Sequence, residues 1–244
     1  MADRALVNAV SVRLEVAPTE TPVDTLRGLL ATTQDPLTKY LAAQSLTRHY
    51  RYLQKARHAT FYARIALTIA PRARIGAGHY LLGVALLAQS EPREALPHFH
   101  DACDIWMHDE APIELAWGAI AYANALLGCR TAARSFVESA SPVDTRFPLY
   151  HGSLHLNSGF TYLELREPER AYAQGSLALA SVTTAPSHGH KNALYLLGES
   201  ASLLDRSDEA RLYFDTLCRT YYPSLRFTDL LLAIRTSELV NWLA

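Results

Sequence analysis

The chain has 244 residues, of which 49% are hydrophobic and 19% charged, with a formal net charge of −1. That composition supports a buried core and excludes a disordered, highly charged chain. A pI near 6.8 argues against tight non-specific binding of nucleic acid, and three cysteines, Cys103, Cys129 and Cys218, are too few for a disulfide framework, which leads us to expect a reducing, cytoplasmic setting.

The first sixteen residues include Asp3, Arg4, Asn8, Arg13 and Glu15. These interrupt any apolar stretch, so neither a signal peptide nor a membrane span is expected. Ala9, Val10, Val12, Leu14 and Val16 alternate in part, which leaves strand, irregular arm and helix all open for residues 1–20. Pro18 and Pro22 bracket a break, and Thr21-Pro22 reads as the start of a short helix over 22–33. Asp35-Pro36 then opens the next helix.

From there the pattern is helix, tight turn, helix, repeated. Apolar residues recur at three- and four-residue spacings, as helices burying one face require. Tight turns are marked by Gln89-Ser90-Glu91-Pro92, Gly128-Cys129-Arg130, Arg166-Glu167-Pro168 and Asp205-Arg206-Ser207-Asp208. Longer breaks carry Pro71, Pro112, Pro142, Pro148, Pro186 and Pro223. Charge is uneven: Pro36 to Ser90 holds no Asp or Glu, whereas Glu91 to Glu114 is acidic with Arg93 its one Lys or Arg.

A small-residue and aromatic frame runs through these pairs. Positions 47, 83, 121, 159 and 198 are Thr, Gly, Ala, Gly and Gly, separated by 36, 38, 38 and 39 residues. Alanine stands twelve residues after each of the last four in Ala95, Ala133, Ala171 and Ala210, and after the first in Ala59. Phe99 and Phe214 stand at sixteen, and Ala66, Ala102, Ala140 and Ala178 at nineteen. A small residue lets two helices cross closely, and the aromatic fills the space beside the crossing. A fixed period of this size identifies a stacked repeat, since one pair cannot bury its apolar faces alone.

In these residues the chain resembles the tetratricopeptide repeat (TPR) family. The units are a few residues longer than that family's usual repeat; Thr47 and Ala121 replace its glycine, and Val137 and Gly175 replace an aromatic. The resemblance implies an all-α fold, a TPR-like right-handed superhelix (α-solenoid) of about five antiparallel helix pairs plus a C-terminal capping helix. It divides the chain into an N-terminal arm and short helix over 1–36, a repeat array over 37–222 and the capping helix over 223–244.

The resemblance also implies a function, that of a protein- or peptide-binding adaptor whose first helices line a groove. Carried onto this chain, the groove positions are Gln44, Arg48, Tyr80, Val84, Gly118, Tyr122, Leu156, Phe160, Tyr195 and Glu199, with Asn157 beside them. Aromatic anchors suit a peptide with apolar side chains; the bland reading is that the rings are packing between repeats. The alternative function is a regulatory sensor in transcription or stress response, similar to the sensing half of bacterial peptide-responsive regulators. Residues 1–36 are too short for a helix-turn-helix domain, so any contact with nucleic acid would run through a basic patch of Arg48, Arg51, Lys55 and Arg57. That patch meeting the acidic 91–114 segment of a second copy would instead make a homodimer.

Catalysis is not expected. No Gly-x-Ser-x-Gly, phosphate loop or Gly-x-Gly-x-x-Gly occurs, and Cys129, though in a turn, has no evident base. No cofactor is implied. Ten histidines include the i, i+4 pair His151 and His155, His188-Gly189-His190 in a loop, and His98 and His100 around Phe99, but no Cys or carboxylate completes a metal set at a familiar spacing, so no metal is expected.

Overall fold

A computed structural model describes residues 2–16, 20–108, 112–140, 150–182 and 187–222. The capping helix expected over 223–244 lies outside them. The described residues form twelve α-helices and no strand. The chain divides into two compact units, residues 1–109 and 110–244.

Unit 1 holds α1 (Ala2–Val16), α2 (Glu20–Thr32), α3 (Pro36–Tyr52), α4 (Ala56–Thr68), α5 (Ile75–Ala88) and α6 (Pro92–Trp106), with a 3-10 turn at Arg72–Arg74 before α5. Each helix packs on the next, and α3 also touches α5. The stretch left open at the N-terminus is helix α1, which rests on α2 and α3. Its anchor is polar. Arg4 Nε donates to Asp35 Oδ2 at 2.9 Å, and the Thr33 hydroxyl donates to Asp3 at 3.0 Å. Asp35 is also the N-cap of α3, accepting from the Thr38 amide at 3.2 Å and the Thr38 hydroxyl at 2.6 Å. Helix α2 is tied down by Arg27, which donates to the phenol oxygens of Tyr50 at 2.5 Å and Tyr62 at 3.3 Å, two rings lying parallel 5.5 Å apart.

Unit 2 holds α7 (Ile113–Leu126), α8 (Arg130–Ser139), α9 (His151–Glu164), α10 (Pro168–Ala180), α11 (His188–Leu203) and α12 (Ser207–Tyr221). The first helices of successive pairs touch, α7 on α9 and α9 on α11, and α10 packs on α11. His188-Gly189-His190, read from sequence as a loop, is instead the first turn of α11. Ser187 caps that helix by accepting from the His190 amide at 3.2 Å, which explains the difference, because a serine N-cap starts a helix before the glycine can break it.

First and second helices of a pair differ as their neighbours require. Helices α5, α7 and α11 are buried on most faces, because each meets its own partner and adjoining helices. Helices α4, α6, α8, α10 and α12 bury narrow stripes built on Ala59, Ala95, Ala133, Ala171 and Ala210. The first four of those alanines are fully covered, as a close helix crossing requires.

The tight turn is the same in all five pairs. Gln54, Ser90, Gly128, Arg166 and Asp205 have φ between 57° and 75°, the left-handed region. Each lies seven residues after its frame position, at 47, 83, 121, 159 or 198. The following amide reaches back to the carbonyl five residues earlier: Lys55 to Tyr50, Glu91 to Leu86, Cys129 to Asn124, Glu167 to Tyr162 and Arg206 to Ala201, at 2.8–3.0 Å. This bond satisfies a carbonyl that the end of the first helix would otherwise leave open. Only one of the five positions has the glycine that such a turn favours.

Candidate partner-binding face

Within unit 2, α7, α9 and α11 present equivalent positions side by side. Tyr122, Phe160 and Tyr195 stack across them, with centroids 5.7 Å and 6.1 Å apart, and Tyr195 continues onto Phe214 of α12 at 6.5 Å. Aromatic pairs at these spacings are each worth about 0.5–1.5 kcal/mol beyond the area they bury. The rings are 2%, 2% and 0% exposed, and Leu156 is 8% exposed. Residues expected to line an open groove are therefore packing between successive pairs.

Polar groups share the ring-bearing faces. Asn157, Phe160 and Glu164 fall at i, i+3 and i+7 on α9, and Asn192, Tyr195 and Glu199 repeat that spacing on α11. Gly118 on α7 makes room for Asn157: a side chain there would meet the Asn157 Cβ at 3.2 Å and its Nδ2 at 3.5 Å. Asn157 Nδ2 and Asn192 Oδ1 are buried without a hydrogen-bond partner, and Asn192 is 4% exposed. Burial raises the pKa of the Glu164 carboxyl, opposed by nearby Arg166. Burial also lifts the phenols of Tyr122 and Tyr195, and Glu164 adds to both shifts, so its charge lies close to the ring ladder. Sequence reasoning missed Asn192 and Glu164; their same-face spacing, three residues before Tyr195 and four after Phe160, was the available signal.

Unit 1 places its four groove positions differently. Gln44, Tyr80 and Val84 are half-buried and Arg48 is exposed. Tyr80 packs on Phe99 at 5.8 Å and on Trp106 at 5.5 Å. Of the basic residues, Arg48, Lys55 and Arg57 are exposed, but Arg51 is half-buried, and burial draws its guanidinium down to about 10. Arg51 is thus not part of the exposed basic surface expected of it.

The remaining candidates are dispersed. His155 Nδ1 is engaged by Gln174 at 2.8 Å and His190 Nδ1 by the Tyr221 hydroxyl at 2.8 Å. Cys103 and Cys218 are buried and Cys129 is exposed, and none of the three forms a disulfide among the described residues. Burial pushes the Cys103 thiol up to about 12. No helix among the described residues is long and apolar enough to cross a membrane. One group not foreseen from sequence does converge: His79 of α5 meets His98 and Asp101 of α6.

No family model matches the chain, and no curated protein matches it. Solved structures do. A Rap protein complexed with competence and sporulation factor aligns with a TM-score of 0.69 at 13% identity, covering 93% of this chain and 68% of that one. NprR in complex with its cognate peptide NprX aligns at 0.65 with 16% identity, covering 94% and 69%. PilW, a type IV pilus biogenesis factor, aligns at 0.58 with 16% identity, covering 95% and 99%. The likeness is one of fold: this chain is an all-α helical-repeat protein of the TPR-like kind.

Proposed function

We propose that the chain is a non-catalytic protein- or peptide-binding module, and that its recognition surface is the half-buried polar edge beside the α7, α9 and α11 rings, where Asn157, Glu164 and Glu199 border the packed ladder. The observation that carries this reading is the pair of buried amide atoms, Asn157 Nδ2 and Asn192 Oδ1, that have no hydrogen-bond partner. An unmet buried polar atom costs about 1–3 kcal/mol, and a folded protein keeps such a group where water or a partner satisfies it. One is a donor and the other an acceptor, the pair of functions that an extended peptide backbone offers in return. The Rap and NprR structures above, of similar fold, hold competence and sporulation factor and a cognate peptide, which supports a peptide as the occupant.

The raised Glu164 pKa adds chemistry to that occupant. A partly desolvated carboxylate is stabilised by a cationic group brought to it, so the preferred peptide carries a Lys or Arg among apolar residues. The test is selection from a random peptide library on the purified chain, followed by titration of the best binder. Binding should be one-to-one and weaken at least roughly tenfold, one lost hydrogen bond's worth, in both Asn157→Ala and Asn192→Ala. Both variants should melt no lower than the parent. Binders that ignore both substitutions would place recognition elsewhere.

A further inference from the structure

We propose that His79, His98 and Asp101 form a divalent-metal site of the zinc type, clamping α5 to α6 inside unit 1. His79 Nδ1 lies 3.2 Å from His98 Nδ1 and 3.2 Å from Asp101 Oδ2. One donor atom from each of the three residues lies within 4.8 Å of the other two. Metal–nitrogen and metal–oxygen bonds of about 2.0–2.2 Å in a tetrahedron separate neighbouring donors by about 3.3–3.5 Å. Two edges of the triangle therefore already have nearly the span that an ion would impose.

The chemistry of the set agrees with its geometry. Two imidazoles and one carboxylate select a borderline ion such as zinc over calcium or magnesium, and they leave a fourth corner for water. The ligands sit on two packed helices joined by a tight turn, which holds their backbones in place. Without an ion, one Nδ1–H donates to the other Nδ1; with both rings protonated on Nε2, both Nδ1 lone pairs are free to take an ion in that proton's place. His98 is half-buried on α6, with its ring centroid 5.4 Å from that of His79. The other charges facing it are Arg64 of α4 and Glu94 of α6, which pair with each other at 3.8 Å. His79 is largely covered and the Asp101 side chain is 51% exposed, so an ion has a path in from solvent. The competing arrangement is a direct His79–Asp101 contact with no ion between them.

The experiment uses the full chain without a histidine tag, stripped with a chelator and titrated with Co²⁺ while the visible absorption is read. One equivalent should produce the bands of a four- or five-coordinate cobalt site, and Zn²⁺ should displace them. Zn²⁺ should also raise Tm. His79→Gln and Asp101→Asn should each weaken binding by roughly 100-fold or more, since even the groups that orient a ligand are worth 10–100-fold. Asp101→Asn is the safer variant, because that half-exposed side chain serves no cap, and circular dichroism should find its helicity unchanged. The double change His151→Gln/His155→Gln should leave the spectrum intact. Absence of a cobalt spectrum, a spectrum that survives both ligand variants, or loss in the unit 2 double variant would each overturn the assignment.

Discussion

Phe99 stands where a side chain on Gly83 would be. A Cβ built on Gly83 would lie 2.5 Å from Phe99 Cε1, and the ring is fully buried with nowhere to retreat. Gly198 and Phe214 repeat the relationship at 2.6 Å. Where the frame position carries a side chain, in Thr47 and Ala121, the residue sixteen further on shrinks to Ala63 and Val137. At Gly159, whose partner is Gly175, Leu196 of the next pair fills the space. The two positions therefore trade volume within four of the pairs, and in the fifth the next pair supplies it.

That trade can be measured. Gly83→Ala gains about 1 kcal/mol of helix propensity, yet overpacking a fixed ring costs about 1–3 kcal/mol, so the variant should be destabilised in urea. Phe99→Leu alone should also destabilise. Combined, the two changes should recover part of the loss, a negative coupling in a double-mutant cycle. Strict additivity would show that the ring does not set the requirement for glycine.

The five left-handed turns offer a gain in stability. A side chain in that region costs about 1–2 kcal/mol, which glycine avoids. Asp205→Gly should raise the urea midpoint, after the larger entropy of the unfolded glycine chain takes back part of the gain. Gly128→Ala should do the reverse and lower it. Equal midpoints for all three proteins would mean that the turn geometry relaxes when its residue changes.

Glu164 makes a prediction with pH. Its folded pKa is raised above the ordinary 4.5. Its contribution to stability is therefore fully present below 4.5 and lost as pH rises through the raised value. Glu164→Gln should melt higher than the parent at pH 7, and the difference should close below pH 4.5. The same variant should bind a basic peptide less well. A constant difference in Tm across that range would remove burial of the charge as its cause.

At the N-terminus, Arg4 and the Thr38 amide and hydroxyl hold the Asp35 carboxyl well below its ordinary 3.8, chiefly through hydrogen bonds from Arg4. The sign is opposite to that of Glu164: this contribution is present above 3.8 and fades as pH falls through the depressed value. Asp35→Asn should loosen both α1 and the first turn of α3, seen as faster amide exchange in those two segments and not in α5 or α6. Faster exchange throughout unit 1 would show instead that α1 is needed for the whole unit to fold.

Much of the architecture was legible because the repeat states itself five times. Ala59, Ala95, Ala133, Ala171 and Ala210 each mark one close crossing, and a frame that recurs needs no single strong match. The face was less legible for a physical reason. Helical periodicity tells which residues share a side of a helix, but Tyr122 and Phe160 look alike whether that side meets solvent or the neighbouring pair. The N-terminal helix was hidden because the apolar residues of α1 fit period two nearly as well as 3.6. Its evidence is tertiary, in Arg4 meeting Asp35 across thirty-one residues. The His79, His98 and Asp101 group was hidden because its members belong to different helices, and spacing along the chain cannot show what a pair of helices folds together.

From the frame residue to the left-handed turn is always seven residues, and from the frame to the alanine always twelve, whereas the repeats themselves differ by up to three residues in length. All of that variation consequently falls after the pair has closed. Each pair behaves as a sealed cassette, and the connections between cassettes absorb insertions and deletions. A lineage can lengthen or shorten this protein there without re-solving its core, and an engineer splicing in a tag or a whole extra pair would cut at the same joints.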